Sequence, residues 1–275
     1  MIDFKVQQDQ CIECGLCAKD CPVLIIKLNP KPTIAEENES KCIQCQHCLA
    51  ICPTAAISIL GKKPEDSVST KNPIPKAEEM ETLMKTRRSI RKFKSASIDS
   101  TLIHHLLSVA GHAPTGHNSN SVKFHVTETI AQRDFVRDRV YSALSNAKGN
   151  EELTAKYKSL FAIQKVWETK NIDILFRNAP HILLASAPKA TVSPVVDATV
   201  AMTYFELLAN TNGIGTLWDG LAKSAVINID PTTAKDLGVA DDHVLAYIMI
   251  FGHPSVKYSR GTQSDGIYIN VIDLP

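Results

Sequence analysis

No cysteine occurs after Cys52 in this 275-residue chain. Long apolar runs are missing too: the longest, Val244 to Phe251, is far too short to span a bilayer. The opening MIDFKVQQDQ has no apolar core of the kind a secretory signal needs. Neither sign of charge dominates, and the net charge is +1. That balance gives no bulk attraction to nucleic acid or to a membrane surface. These absences lead to the expectation of a cytoplasmic protein with no nucleic-acid or membrane partner. At 44% apolar and 21% charged, the composition is that of a globular chain. Its length suits one large domain or two of unequal size.

What is present is concentrated near one end. All eight cysteines lie between Cys11 and Cys52. A disulfide scaffold belongs to a small secreted chain, so eight clustered thiols read instead as metal ligands. They form a repeat. Cys11-Ile-Glu-Cys14-Gly-Leu-Cys17-Ala-Lys-Asp-Cys21-Pro22 recurs as Cys42-Ile-Gln-Cys45-Gln-His-Cys48-Leu-Ala-Ile-Cys52-Pro53, with an offset of 31 residues at every cysteine. The spacing C-x2-C-x2-C-x3-C-P is the bacterial pattern for two [4Fe-4S] clusters. Three cysteines two residues apart wrap one cube, and the fourth reaches the other. Cys11, Cys14, Cys17 and Cys52 are therefore assigned to one cluster, and Cys42, Cys45, Cys48 and Cys21 to the second. Pro22 and Pro53 turn the chain away after each crossing ligand. Zinc is the alternative, but its signature is two well-separated C-x2-C pairs rather than four cysteines in one run. His47, between two ligands, reads as a solvated neighbour; tuning of the cluster potential is its functional reading. A module of this kind passes single electrons.

Gly61 to Ala77 is rich in Lys, Pro and Ser and reads as a linker. The expected organisation is residues 1–60 as the cluster module, 61–77 as the linker and 78–275 as a second domain. In the latter, helices are expected at Glu78 to Thr86, from an Asp99 N-cap to about Gly111, and over Ile130 to Ala147, Glu151 to Lys170 and Asp197 to Asn212. Gly213 is the expected stop of the last, whose face of Val200, Tyr204, Leu207 and Leu208 should meet a core or a subunit partner. Strands are expected at Val122 to Thr127, His181 to Ala187 and Val244 to Phe251. Without regular βα alternation, the pattern favours an α+β sheet over a doubly wound one.

Four segments of this domain carry candidate chemistry. Arg87-Arg88-Ser89-Ile90-Arg91-Lys92-Phe93 sets cations and a hydroxyl after a short helix, which suits a phosphate; alone it is equally a solvated basic patch. Ala113-Pro114-Thr115-Gly116-His117-Asn118-Ser119-Asn120 is a polar loop. Gly213 to Gly220 brings Trp218, Asp219 and free backbone amides together, but it is not G-x-G-x-x-G and no strand-turn-helix context is expected for it. Lys257 and Arg260 form another cation pair after a strand.

In this order the four segments resemble the nitroreductase family of flavoproteins, over about Glu78 to Pro275. R-R-S-I-R-x-F and A-P-T-G-H-N are the most specific pieces. The resemblance implies bound FMN and an α+β sandwich that dimerises, with the flavin sites at the interface of the homodimer. It implies that Arg87, Arg88, Ser89 and Arg91 hold the FMN phosphate and ribityl chain, completed by Lys257 and Arg260. Pro114, Thr115, Gly116 and Asn118 would reach the partner's flavin. Leu217, Trp218, Asp219 and Gly220 would line the isoalloxazine. Ala143 to Lys170 carries no motif and is expected to shape the substrate pocket. The combination also resembles nitroreductase-like proteins with an N-terminal 2[4Fe-4S] ferredoxin domain.

The leading functional expectation is an FMN- and iron-sulfur-dependent oxidoreductase reducing an electron-poor acceptor such as a nitroaromatic or quinone. Its donor would be NAD(P)H or a reduced ferredoxin-type redox protein. No side chain is nominated as catalytic: Asp219 is the nearest general-acid candidate, and its plainer role is to orient a turn. Alternatives are an electron carrier or redox sensor without small-molecule turnover, and a reductive dehalogenase or flavin-modifying relative.

Overall fold

The computed structural model describes residues 2–263, 266, 267 and 269–272. The chain divides into two compact units. The first is Met1–Pro75 with His117–Ser119; the second is Lys76–Gly116 with Asn120–Pro275.

Regular structure in the first unit is short. β1 (Phe4–Val6), α1 (Leu16–Asp20), β2 (Ile26–Leu28), β3 (Pro32–Ile34), α2 (His47–Ala50) and β4 (Ile57–Ile59) follow in order. β1 pairs antiparallel with β4, and β2 with β3. Three-residue strands bury little by themselves. The core joins Ile25, Ile26, Leu49, Ile57 and Ile59 to Cys17, Cys21 and Cys48, so thiols occupy core positions.

The sequence repeat recurs in the backbone. Glu13, Gly15 and Leu24 have φ of 57°, 73° and 55°, and Gln44, Gln46 and Ala55 have 57°, 60° and 55° at the same offset. Only Gly15 among the six is glycine, and an L-residue in this region costs roughly 1–2 kcal/mol. Local preference does not account for the shared bend. At Glu13, Gly15, Gln44 and Gln46, which lie between ligands, the requirement to aim three thiols from one tight loop does; Leu24 and Ala55 lie past the fourth cysteine of each run.

The second unit contains α3 (Ala77–Thr86), α4 (Ser100–Ala110), β5 (Lys123–Val126), α5 (Ile130–Asn146), α6 (Glu151–Lys156), α7 (Lys158–Lys170), β6 (His181–Pro188), α8 (Pro194–Thr211), β7 (Gly215–Trp218), α9 (Gly220–Asn228), α10 (Thr232–Asp236) and β8 (His243–Gly252). The sheet runs β5-β6-β8-β7 with every pair antiparallel. β6 and β8 are buried on both faces, which explains why their sequences are continuous apolar runs. Alternation divides their side chains. Ile182, Leu184, Leu245, Ile248 and Ile250 pack with α5, α7 and α9. Leu183, Ala185, Ala246, Met249 and Phe251 pack with α4 and α8 on the other face.

Several expectations need correction. The helix expected over Glu151 to Lys170 breaks at Tyr157, whose φ of −113° and ψ of 42° are not helical. α8 begins at Pro194, ahead of Asp197, because proline suits the first helical turn. The α8 side chains buried within the chain include Ala198, Ala201, Met202, Phe205 and Ala209; of the expected face, Leu208 packs partly against that core and Tyr204 is 44% exposed. Small residues facing the sheet let the helix approach it closely. Asn212 caps α8, and Gly213 follows with φ 69°. Gly213 to Gly220 does lie in a strand-turn-helix, since β7 leads into α9. Gly213 and Gly215 precede or open that strand rather than bridge strand to helix.

Candidate functional site

Two small cavities open in the first unit. Cys11, Cys14, Cys17 and Cys52 line one. Cys21, Cys42, Cys45 and Cys48 line the other. Each cavity thus draws three thiols from one repeat and the fourth from the other. Among the described residues, no three His, Cys, Asp or Glu side chains converge on a single-ion position. One tetrahedral zinc would need its sulfurs about 2.3 Å from a common point. Four free thiols spread around a cavity suit a cube instead.

The cavity walls are apolar, with Ile12, Leu16 and Leu28 in one and Val23, Ile34 and Ile43 in the other. Burial pushes the Cys48 thiol up to about 12, and the neighbouring Cys45 and Cys42 push the same way. Burial also lifts Cys17. At Cys52 burial acts upward as well, but hydrogen bonds from Ala56 and Thr54 outweigh it and hold the thiol below its ordinary value. Ala56 N donates to Cys52 Sγ at 3.2 Å, and Gln44 N donates to Cys42 Sγ at 3.4 Å. Such N–H donors to sulfur are among the features that set a cluster's potential. Buried thiols that resist ionisation become ligands only with loss of a proton to solvent, so loading couples to pH. His47 is largely exposed, with Nδ1 3.3 Å from Asp20 Oδ2.

In the second unit, the chain leaves α3 and passes beside β7. Ser89 forms a parallel bridge to Thr216, and Ile90 N donates to Thr216 O at 2.9 Å. This approach needs Gly215: a Cβ there would lie 2.4 Å from Ile90 Cγ1. Arg88 Nη2 donates to Lys85 O, whereas its Nε is buried without a partner. A guanidinium N–H withheld from water calls for an acceptor, and an anionic oxygen is the strongest. Gly261 lies against Lys85 O and Arg88 Nη2, at 2.6 and 3.6 Å from where a Cβ would stand. The segment after the exposed Lys257 and Arg260 therefore returns to Arg88. Arg91 is exposed and donates Nη1 to Ser89 O at 3.3 Å. These donors fit the phosphate end of the FMN that the resemblance implies.

The Ala113–Asn120 loop divides between the units. Pro114 is exposed, Thr115 Oγ1 accepts from Asn120 N at 3.0 Å, and Gly116 N donates to Asp197 Oδ1 at 3.0 Å. Asn118 falls within the first unit, where its Nδ2 donates to Ile43 O at 2.9 Å.

Leu217 and Trp218 alternate along β7 and so go to opposite faces of the sheet. A planar ring can meet the side chain of only one of them. Trp218 is the half-buried aromatic, edge-on to Tyr247 with centroids 5.1 Å apart. Gly220 leaves room for Tyr247 Oη, which would lie 3.0 Å from a Cβ. Asp219 caps α9, its Oδ1 accepting from Ala222 N at 2.8 Å. Its Oδ2 is buried without a partner. Burial raises the Asp219 pKa to about 7; the Ala222 N–H pulls it down, and the Asp173 carboxylate adds to the rise.

Sequence reasoning missed Glu206, which is 5% exposed. It accepts from Arg87 Nη1 at 3.2 Å, Thr216 Oγ1 at 2.8 Å and Trp218 Nε1 at 3.0 Å. The available signal was its place four residues after Met202, a carboxylate on the apolar face of a helix.

Residues 84–253 match the model of the Nitroreductase family, and residues 10–57 match that of the 4Fe-4S dicluster domain. A nitroreductase with bound FMN from Bacteroides fragilis is 18% identical, with coverage of 70% of this chain and 98% of that one and a TM-score of 0.57. A nitroreductase with bound FMN from Desulfitobacterium hafniense is 17% identical over 70% and 98%, with a TM-score of 0.54. An iodotyrosine deiodinase bound to FMN and 3-iodo-L-tyrosine is 18% identical over 70% and 100%, with a TM-score of 0.51. At these identities the likeness is one of fold. No curated protein matches the chain. Among the described residues no helix is long and apolar enough to cross a membrane.

Proposed function

The chain belongs to the nitroreductase family, and from that premise we propose that it is an FMN- and iron-sulfur-dependent oxidoreductase that reduces an electron-poor organic acceptor. The acceptor class is a nitroaromatic or a quinone, and the donor is NAD(P)H or a reduced ferredoxin-type protein. One observation carries the reading: two cavities, each lined by four cysteines, occur on the same chain as a nitroreductase-family unit. Bound FMN would supply exchange of one or two electrons, and the clusters exchange of one at a time.

The chain's own residues do the holding. Arg87, Arg88, Ser89 and Arg91, with Lys257 and Arg260, bind the phosphate and ribityl chain; the unpartnered Arg88 Nε supports this. Trp218 offers the aromatic surface for the ring, with Leu217, Asp219 and Gly220 contributing through the backbone of β7 and its turn. Pro114, Thr115, Gly116 and Asn118 reach the flavin of the second subunit in a homodimer. The cluster module spans residues 1–60, the linker 61–77 and the flavin domain 78–275, in a cytoplasmic protein.

The test is anaerobic purification with iron, sulfide and flavin counted per chain, followed by a donor and acceptor screen. About eight iron atoms and one FMN per chain, for two Fe4S4 cubes, are expected, with turnover of nitro or quinone acceptors. Iron-loaded protein that fails to take up FMN would sink the flavin reading. Electron exchange with a protein partner but no small-molecule turnover above free FMN would make it a carrier. A halogenated phenol belongs in the screen because the deiodinase shares the fold.

A further inference from the structure

The flavin-site reading leaves the buried carboxylate of Glu206 without a role. Glu206 lies on the sheet-facing side of α8, next to Phe205 and one turn after Met202. Its Oε1 accepts from Arg87 Nη1 and Thr216 Oγ1, and its Oε2 from Trp218 Nε1. A carboxylate offers only acceptors, so all three bonds run toward it. The donors come from two segments far apart in sequence. One is the cation and hydroxyl cluster after α3. The other is β7, which carries the half-buried indole.

Stability is a weak explanation for this arrangement. Buried ion pairs often do no better than apolar side chains of the same volume. The rest of the buried face of α8 is Ala198, Ala201, Met202, Phe205 and Ala209 apart from Asp197, and a methionine at 206 would continue it. What a carboxylate adds is direction. It draws one guanidinium and one indole N–H to fixed points on opposite oxygens, with the Thr216 hydroxyl completing its coordination.

We propose that Glu206 is a positioning residue of the cofactor site: by holding Arg87 and Trp218 on one carboxylate, it sets the spacing between the anion-binding cations and the aromatic surface that meets the ring. The proposal rests on the flavin reading and deepens it.

Glu206→Gln is the sharp probe, because the shape is kept and one oxygen becomes a donor. Whichever way the amide turns, its NH2 faces either the Trp218 N–H or the Arg87 and Thr216 donors. Loss of one such bond predicts an FMN Kd raised about tenfold, together with a displaced flavin midpoint potential in anaerobically purified holoprotein. The increase should shrink when Trp218→Phe has already removed the indole N–H, since coupled partners are non-additive; independent structural damage would multiply instead. An unchanged Kd and potential in Glu206→Gln, with parent protein that binds FMN, overturns the role of Glu206 alone. Parent protein that refuses FMN overturns the flavin reading itself. If Glu206→Gln does not fold, Thr216→Val and Trp218→Phe remove one donor each; both must weaken FMN binding, and two unchanged affinities overturn the proposal.

Discussion

Asp219 shows how one residue can serve geometry and still carry a titration. It caps α9, yet its second oxygen is buried without a donor and its pKa is raised from 3.8 to about 7. Between those two values the unfolded chain has released the proton and the folded chain keeps it. Stability from this group therefore falls as pH rises through that window and is level above it, at roughly 1.4 kcal/mol per pKa unit. Asp219→Asn keeps a capping oxygen and removes the titration. Relative to the parent, the variant should gain melting temperature from pH 5 to pH 8, in scans at saturating FMN. A difference that does not vary with pH would remove the account. At this scale legibility was uneven. The cysteines could be read because ligand spacing is a covalent constraint. Glu206 could not, because its partners Arg87, Thr216 and Trp218 meet only in the folded chain.

Elements were legible where one physical cause fixed them. Asp99 caps α4 by accepting from Thr101 N at 2.9 Å, as a side-chain oxygen before a helix should. β6 and β8 were visible as continuous apolar runs. The break between α6 and α7 had no glycine or proline to announce it; it falls at Tyr157, which is partly buried against the core. Among the residues that α8 buries within the chain are Ala198, Ala201 and Ala209, which a search for large apolar residues passes over. Gly215 is the pivot of the second unit's site, since a Cβ there would meet Ile90 at 2.4 Å and Pro254 at 2.9 Å. Gly215→Ala should cost about 1–3 kcal/mol through overpacking, read as a lower unfolding midpoint. Ile90→Ala in the same chain should restore part of the loss, because it removes the atoms in the way. Absence of any rescue would place the cost elsewhere.

For the whole molecule, the two units rest on different kinds of core. The second has aliphatic and aromatic clusters on both faces of its sheet. The first has three-residue strands and counts Cys17, Cys21 and Cys48 among its buried residues. A unit of that size gains little from apolar burial alone, and metal binding there amounts to folding free energy. Anaerobic removal of iron by a chelator should expose the region up to Pro75 to protease. The melt of the second unit should persist. Iron-free protein whose N-terminal region still resists cleavage would contradict this. The main chain boundary between the units falls after Pro75, inside the Lys, Pro and Ser-rich stretch that follows Gly61. The sequence could not convey how the loop at His117–Ser119 comes to be grouped with the first unit, because tertiary contact alone decides that.

The matched left-handed bends at Glu13 and Gln44, Gly15 and Gln46, and Leu24 and Ala55 mean that one template is traced twice by unlike side chains. The side chains between the ligands are then largely free to be exchanged between the two tracings. A chain in which the segment from Cys42 to Pro53 is copied over Cys11 to Pro22 should still assemble two cubes, with potentials brought closer together.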